Sequence, residues 1–92
     1  MKIIVKGSFD RDLDVISERE LNMALAEKIS RIKIARNIDH VTGFKILKGY
    51  TNHGRIVVNT ARLRYRMGVI LRGDTIWLVR FLARKVVYRI FP

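Results

Sequence analysis

Residues 65–82 read YRMGVILRGDTIWLVRFL, and this stretch decides the fold. Tyr65 to Arg72 and Thr75 to Leu82 have the length and β-branched, aromatic content of strands, and they flank Gly73-Asp74. A two-residue loop with glycine first favours a type II′ hairpin turn. Counting outward from that loop sets Ile70 opposite Trp77 and Arg66 opposite Phe81. Strict alternation then puts Met67, Val69, Leu71, Ile76, Leu78 and Leu82 on one face, which suits a core covered by helices. The other face carries Arg66, Gly68, Ile70, Arg72, Trp77, Val79 and Phe81, a mixture of arginine and aromatics. The same alternation drives Arg80 into the core unless a bulge turns it out.

Upstream of the hairpin, Lys2 to Lys6 is a β-branched run ended by Gly7, a further strand. Ser8 is placed to cap a short helix with Phe9, Leu13 and Ile16 on one face. Ser17-Glu18-Arg19-Glu20 fits a capping box, with Ile16 and Leu21 as its hydrophobic staple. From there Leu21, Leu25, Ile29, Ile32 and Ala35 form a stripe at helical spacing to about Arg36, the signature of a helix packed on a sheet. After Asn37 the runs shorten: Phe44 to Lys48 and Arg55 to Asn59 read as strands around a loop from Tyr50 to Gly54. Arg84 to Arg89 is too short to assign to strand or helix. The order β-α-α-β-β-β-β predicts an α+β domain, an N-terminal strand followed by two helices on one face of a mostly antiparallel sheet. At 92 residues it forms one domain, 1–92.

The formal net charge is +11, and it is unevenly distributed. Residues 1–39 hold eight Lys/Arg against seven Asp/Glu, whereas residues 40–92 hold eleven Lys/Arg against Asp74 alone. The sheet half is therefore the cationic surface. Such a field draws polyanions, and the predominance of arginine suits bidentate phosphate contacts and stacking. A nucleic acid, an acidic protein partner and a merely solvated basic face all accord with charge alone. An apolar content of 49% places that charge on a folded chain rather than a disordered one. The apolar runs are stopped by Arg72 and Arg80, far short of the roughly 20 residues that span a bilayer. The N-terminal residues lack the apolar region and cleavage site of a secretory signal. The absence of cysteine excludes disulfides and thiolate-bound metal, and agrees with a cytoplasmic protein.

His40 and His53 have no partner at metal-ligand spacing, and no nucleophile triad, Walker loop or dinucleotide fingerprint is present. No cofactor is implied. What remains is the basic, aromatic C-terminal half. RNA cleavage by its own 2′-hydroxyl needs a group to take the hydroxyl proton, cations to neutralise the phosphorane and a donor for the leaving 5′-oxygen. Arginines on strands and a tyrosine on the last element meet most of those needs without a metal, and composition does not separate such a site from a passive binding groove.

Leu47-Lys48-Gly49-Tyr50, Tyr65-Arg66-Met67-Gly68, Asp74-Thr75-Ile76-Trp77 and the run from Val79 to Arg89 follow one another in the order and spacing of a known family. The chain resembles the RelE/ParE superfamily of toxins from bacterial toxin-antitoxin systems. That resemblance implies a ribosome-dependent mRNA endoribonuclease that inhibits translation, with a cognate acidic antitoxin, the ribosome and mRNA as partners, and operator DNA through the antitoxin complex. The alternatives are a gyrase-directed toxin of the same fold and a non-catalytic nucleic-acid-binding module. Carried over by residue, Arg66 and Arg84 correspond to arginines that stabilise phosphate charge, and Tyr88 to a tyrosine acting as acid, base or stacking platform. Lys48, Arg55, Arg64 and Lys85 are the residues implied to hold RNA. Many relatives carry histidine where this chain has Ala83, and alanine transfers no proton. That departure leaves three readings: a weakened nuclease, a base supplied by another group, or a replacement that made a toxic protein producible. The resemblance implies that Ala83→His raises cleavage.

Overall fold

The computed structural model describes residues 1–92. Its elements run β1 (Lys2–Val5), α1 (Gly7–Asp14), α2 (Arg19–Ile34), a single 3-10 turn at Ile38–His40, β2 (Phe44–Ile46), β3 (His53–Asn59), β4 (Arg64–Arg72), β5 (Thr75–Ala83) and α3 (Arg84–Ile90). One five-stranded sheet has the order β1-β5-β4-β3-β2, with β1 parallel to β5 and every other pair antiparallel. The α+β architecture read from the sequence is the one observed, extended by a C-terminal helix on the segment that the sequence left unassigned.

Helices α1 and α2 cover one face of the sheet. Phe9 from α1 and Leu21, Leu25 and Ile32 from α2 close over Ile56, Val58, Met67, Val69, Ile76 and Leu78, all buried. On the opposite face a smaller cluster of Leu47, Val87 and Phe91 seats α3 against Val79 and Leu82. The helical stripe is as expected, but neither cap is. α2 begins one residue later than the capping box required, with Glu18 at the N-cap and no side-chain cap bond. Burial of Leu21 and Leu25, rather than the Ser17 hydroxyl, sets where it starts. α1 begins at Gly7 with Lys6 at its N-cap, and the Ser8 hydroxyl donates instead to the carbonyl of Val79. β3 begins at His53, taking the end of the expected loop into the sheet.

The hairpin closes as its loop dictates: Gly73 has a φ of 60°, Asp74 after it is not left-handed, and Arg72 pairs with Thr75. Ile70 faces Trp77 as expected, but the register shifts between Gly68 and Val69 and leaves Val79 without a partner. Beyond this bulge Arg66 lies opposite Leu82, not Phe81. Phe81 therefore turns into the core, 5.9 Å from Phe9 and 5.1 Å from Tyr65 between ring centres, and Leu82 moves to the α3 face. The bulge keeps Arg80 out of the apolar core, where an unpaired charge is costly. Its guanidinium instead forms a two-pronged contact with Asp12 of α1, at 2.8 and 3.1 Å.

Candidate active site

The α3 face of the sheet carries the cations. Alternation along β2, β3 and β4 opposes Lys45 to Arg55, Arg55 to Gly68, and Val57 to Arg66. Lys45, Arg55 and Arg66 thus share one face across three adjacent strands. Like charges directly opposed on a ladder cost about 0.2–1 kcal/mol, and no acid offsets them. The two ion pairs of the chain, Arg31 with Glu27 and Arg80 with Asp12, both lie elsewhere.

α3 supplies the wall. Its seven residues place Arg84 and Tyr88 four apart, on one face of the helix. Val87 and Phe91, also four apart, anchor its underside. Phe91 can lie flat on β4 because position 68 is glycine: a Cβ there would stand 2.8 Å from the Phe91 ring. The Leu47–Tyr50 turn, with Gly49 at a φ of 83°, brings Lys48 and Tyr50 to the rim.

Together these elements enclose a cleft of about 480 Å³, lined among others by Lys45, Lys48, Tyr50, Arg55, Arg66 and Tyr88. The Arg55 guanidinium carbon is 4.1 Å from the Tyr88 ring centre and that of Arg84 is 5.0 Å away. Arg55 is half-buried, and its Nε–H is buried with no acceptor in the chain. Arg66 donates through Nη1 to Asn59 Oδ1 at 3.0 Å and to the Tyr65 carbonyl at 2.8 Å. Both bonds use one nitrogen, so Nη2 and Nε keep their donors for a ligand. The Tyr88 phenol is held below the usual tyrosine range, chiefly by hydrogen bonding to Arg84. Arg84's charge and Arg66 reinforce that effect against the opposing one of burial. Chemically, the cleft offers several fixed guanidinium donors, two ammonium groups and one acidified phenol to a phosphodiester.

Of the residues singled out in the sequence, Lys48, Arg55, Arg66 and Tyr88 meet in the cleft and Arg84 flanks Tyr88. Arg64 lies on the same face as Arg66 but at the exposed start of β4, outside the cleft, and Lys85 is exposed on α3. Ala83 is the N-cap of α3 and pairs with Tyr65, whose ring packs on the core. Cross-strand partners share a face, so the Ala83 side chain starts on the core side of the strand, away from Arg66. Lys45 and Tyr50 are the cleft residues that sequence reasoning missed. The signal for Lys45 was the alternation of Phe44-Lys45-Ile46, which acquires meaning only once β2 is paired with β3, whereas Tyr50 is placed by the turn at Gly49.

No family model matches the sequence. A curated protein, toxin RelE3 of Methanocaldococcus jannaschii, is 46% identical over 99 aligned positions that span the whole of both chains. The crystal structure of a RelB-RelE antitoxin-toxin complex from Methanococcus jannaschii is similar at a TM-score of 0.73 and 28% identity, covering 97% of this chain and 99% of that one.

Proposed function

The chain belongs to the RelE family of toxins, and from that premise we propose that it is a ribosome-dependent mRNA endoribonuclease held in check by a cognate acidic antitoxin. The observation that carries this reading is Tyr88 against both the Arg55 and Arg84 guanidinium groups, in a cleft it shares with Arg66 and that no Asp or Glu lines.

Cleavage requires the 2′-oxygen to attack the adjacent phosphorus while the bond from phosphorus to the 5′-oxygen breaks, leaving a cyclic phosphate. Tyr88, acidified by its arginine neighbours, takes the 2′-hydroxyl proton as phenolate. Arg66 and Arg84, with Arg55, stabilise the charge that builds on the phosphorane oxygens. Lys45, Lys48 and Tyr50 line the cleft and carry protons that the departing 5′-oxygen can take. The loss of like-charge repulsion when phosphate enters favours binding. An acidic antitoxin segment laid over the same cations competes for them, which is a direct electrostatic route to neutralisation.

Primer-extension mapping of messages from cells expressing the protein tests the reading. In-frame cuts within translated messages are the expected result, reduced about 10²–10³-fold by Arg66→Ala. An SOS response without cuts would overturn it in favour of gyrase-directed action. A small acidic protein encoded by the adjacent open reading frame should copurify with the chain, and its failure to bind would remove the antitoxin part of the proposal.

A further inference from the structure

The cleft occupies only part of the α3 face. Beyond Phe91 the sheet is uncovered, and there one row of side chains runs in register across four strands: Ile4 of β1, Trp77 of β5, Ile70 of β4 and His53 of β3. Ile4 is exposed and Trp77, Ile70 and His53 are half-buried. No helix packs over them. Lys6 Nζ stands 5.1 Å from the Trp77 ring centre and the Arg72 guanidinium carbon 5.9 Å from it. Lys2 joins Thr75 and Arg72 in the neighbouring row. Asp74, at the hairpin tip, is the one acid nearby; its carboxylate accepts from Thr75 and forms no ion pair with these cations.

The row also connects to the cleft. The Tyr50 ring, on the cleft rim, is 5.0 Å from His53, which in turn is 6.1 Å from Phe91. His53 lies two strands from Trp77, about 10 Å at the usual spacing between strands. The row is mostly apolar, with one large aromatic edged by lysine and arginine that form no ion pair. It matches what a single strand of RNA presents, namely bases with π-faces and a phosphate at each step.

We propose that Trp77, flanked by Lys6 and Arg72, is a base-stacking platform for the single-stranded RNA that leaves the cleft across Tyr50 and His53. This proposal rests on the reading of the cleft as an RNA-cleaving site and adds to it an exit track on the sheet. A base displaces one of the two cations from the Trp77 face, and the freed cation takes the neighbouring phosphate.

Trp77 is the sole tryptophan of the chain, so its fluorescence reports on the platform directly. The probe is a short single-stranded oligoadenylate, titrated without ribosomes into the full chain carrying Arg66→Ala, which suppresses cleavage. Saturable quenching that weakens with added salt is expected, with the midpoint raised about tenfold by Lys6→Ala combined with Arg72→Ala. In an anisotropy assay with labelled RNA, Trp77→Ala should weaken binding about tenfold while Trp77→Phe keeps part of it. Absence of quenching by RNA, or equal quenching by duplex DNA or by polyglutamate, would overturn the platform. A chain that cuts messages without RNA quenching Trp77 loses the platform and keeps the cleft mechanism. Quenching without message cleavage does the reverse.

Discussion

The Arg55 guanidinium lies 4.1 Å from the centre of the Tyr88 ring, joining the middle of the sheet to the last helix through a cation and an aromatic face. Arg55 comes from β3 and Tyr88 from α3, which is seated where Gly68 lets Phe91 settle on β4. The contact sets a planar cation against a phenol, with the buried Arg55 Nε–H still without an acceptor. The cluster is therefore incomplete in electrostatic terms, with several positive groups held together and no Asp or Glu among them. Its cost is borne by the packing of α3.

The first consequence is a titration. Tyr88 should form phenolate below the usual tyrosine range, because Arg84 and then Arg66 favour the charged form. Phenolate absorbance followed against pH should show one early transition that Tyr88→Phe removes. Arg84→Ala should return the transition toward the ordinary value of about 10, and Arg66→Ala should return it less far. A lowered folded-state pKa contributes stability that is fully present above the unfolded value and is lost as pH falls through the folded one. Cleavage by a phenolate base rises with pH through the Tyr88 transition. An unaltered titration in Arg84→Ala would show that Arg84 does not acidify the phenol.

The hairpin was legible because Gly73-Asp74 leaves few loop geometries, and the register it implies holds from Arg72 to Val69. It fails at Val79 for a reason no local pattern contains. Arg80 has its partner in Asp12, 68 positions earlier in the chain, and Phe81 has its core neighbour in Phe9. The cleft divides in the same way. Arg66, Arg84 and Tyr88 stand in motifs that read along the chain. Lys45 and Tyr50 depend on how the connection between β2 and β3 turns at Gly49, and alternation within β2 does not determine that.

Gly68 and Phe91 provide a test of how α3 is held. Gly68→Ala inserts a Cβ 2.8 Å from the Phe91 ring, against aromatic carbons that cannot yield without moving α3. A loss of about 1–3 kcal/mol is expected, as for other overpacked sites. Phe91→Ala should cost about 3–5 kcal/mol by leaving a cavity. The double variant should cost less than the sum of the two, since the added methyl then has room. Urea denaturation of the four proteins measures this cycle. Strict additivity would mean that the close approach does not seat the helix.

Asp12 holds β5 just past its bulge. Its carboxylate accepts from Arg80 at 2.8 and 3.1 Å and from the Phe81 backbone N–H at 2.9 Å, and its side chain is 11% exposed. The Phe81 N–H lies beyond Leu78, where β1 has ended and no strand supplies an acceptor. Asp12→Ala strands a guanidinium and a backbone donor at once, and a loss of about 2–4 kcal/mol is expected. Asp12→Asn keeps an acceptor for the N–H but not the charge, and should fall between the two. Glu27→Ala, which removes the exposed pair with Arg31, should change stability by about 0.5 kcal/mol or less. Urea midpoints at constant slope separate these outcomes. If Asp12→Ala proved no more costly than Glu27→Ala, the bulge would have to be held by the burial of Phe81 alone.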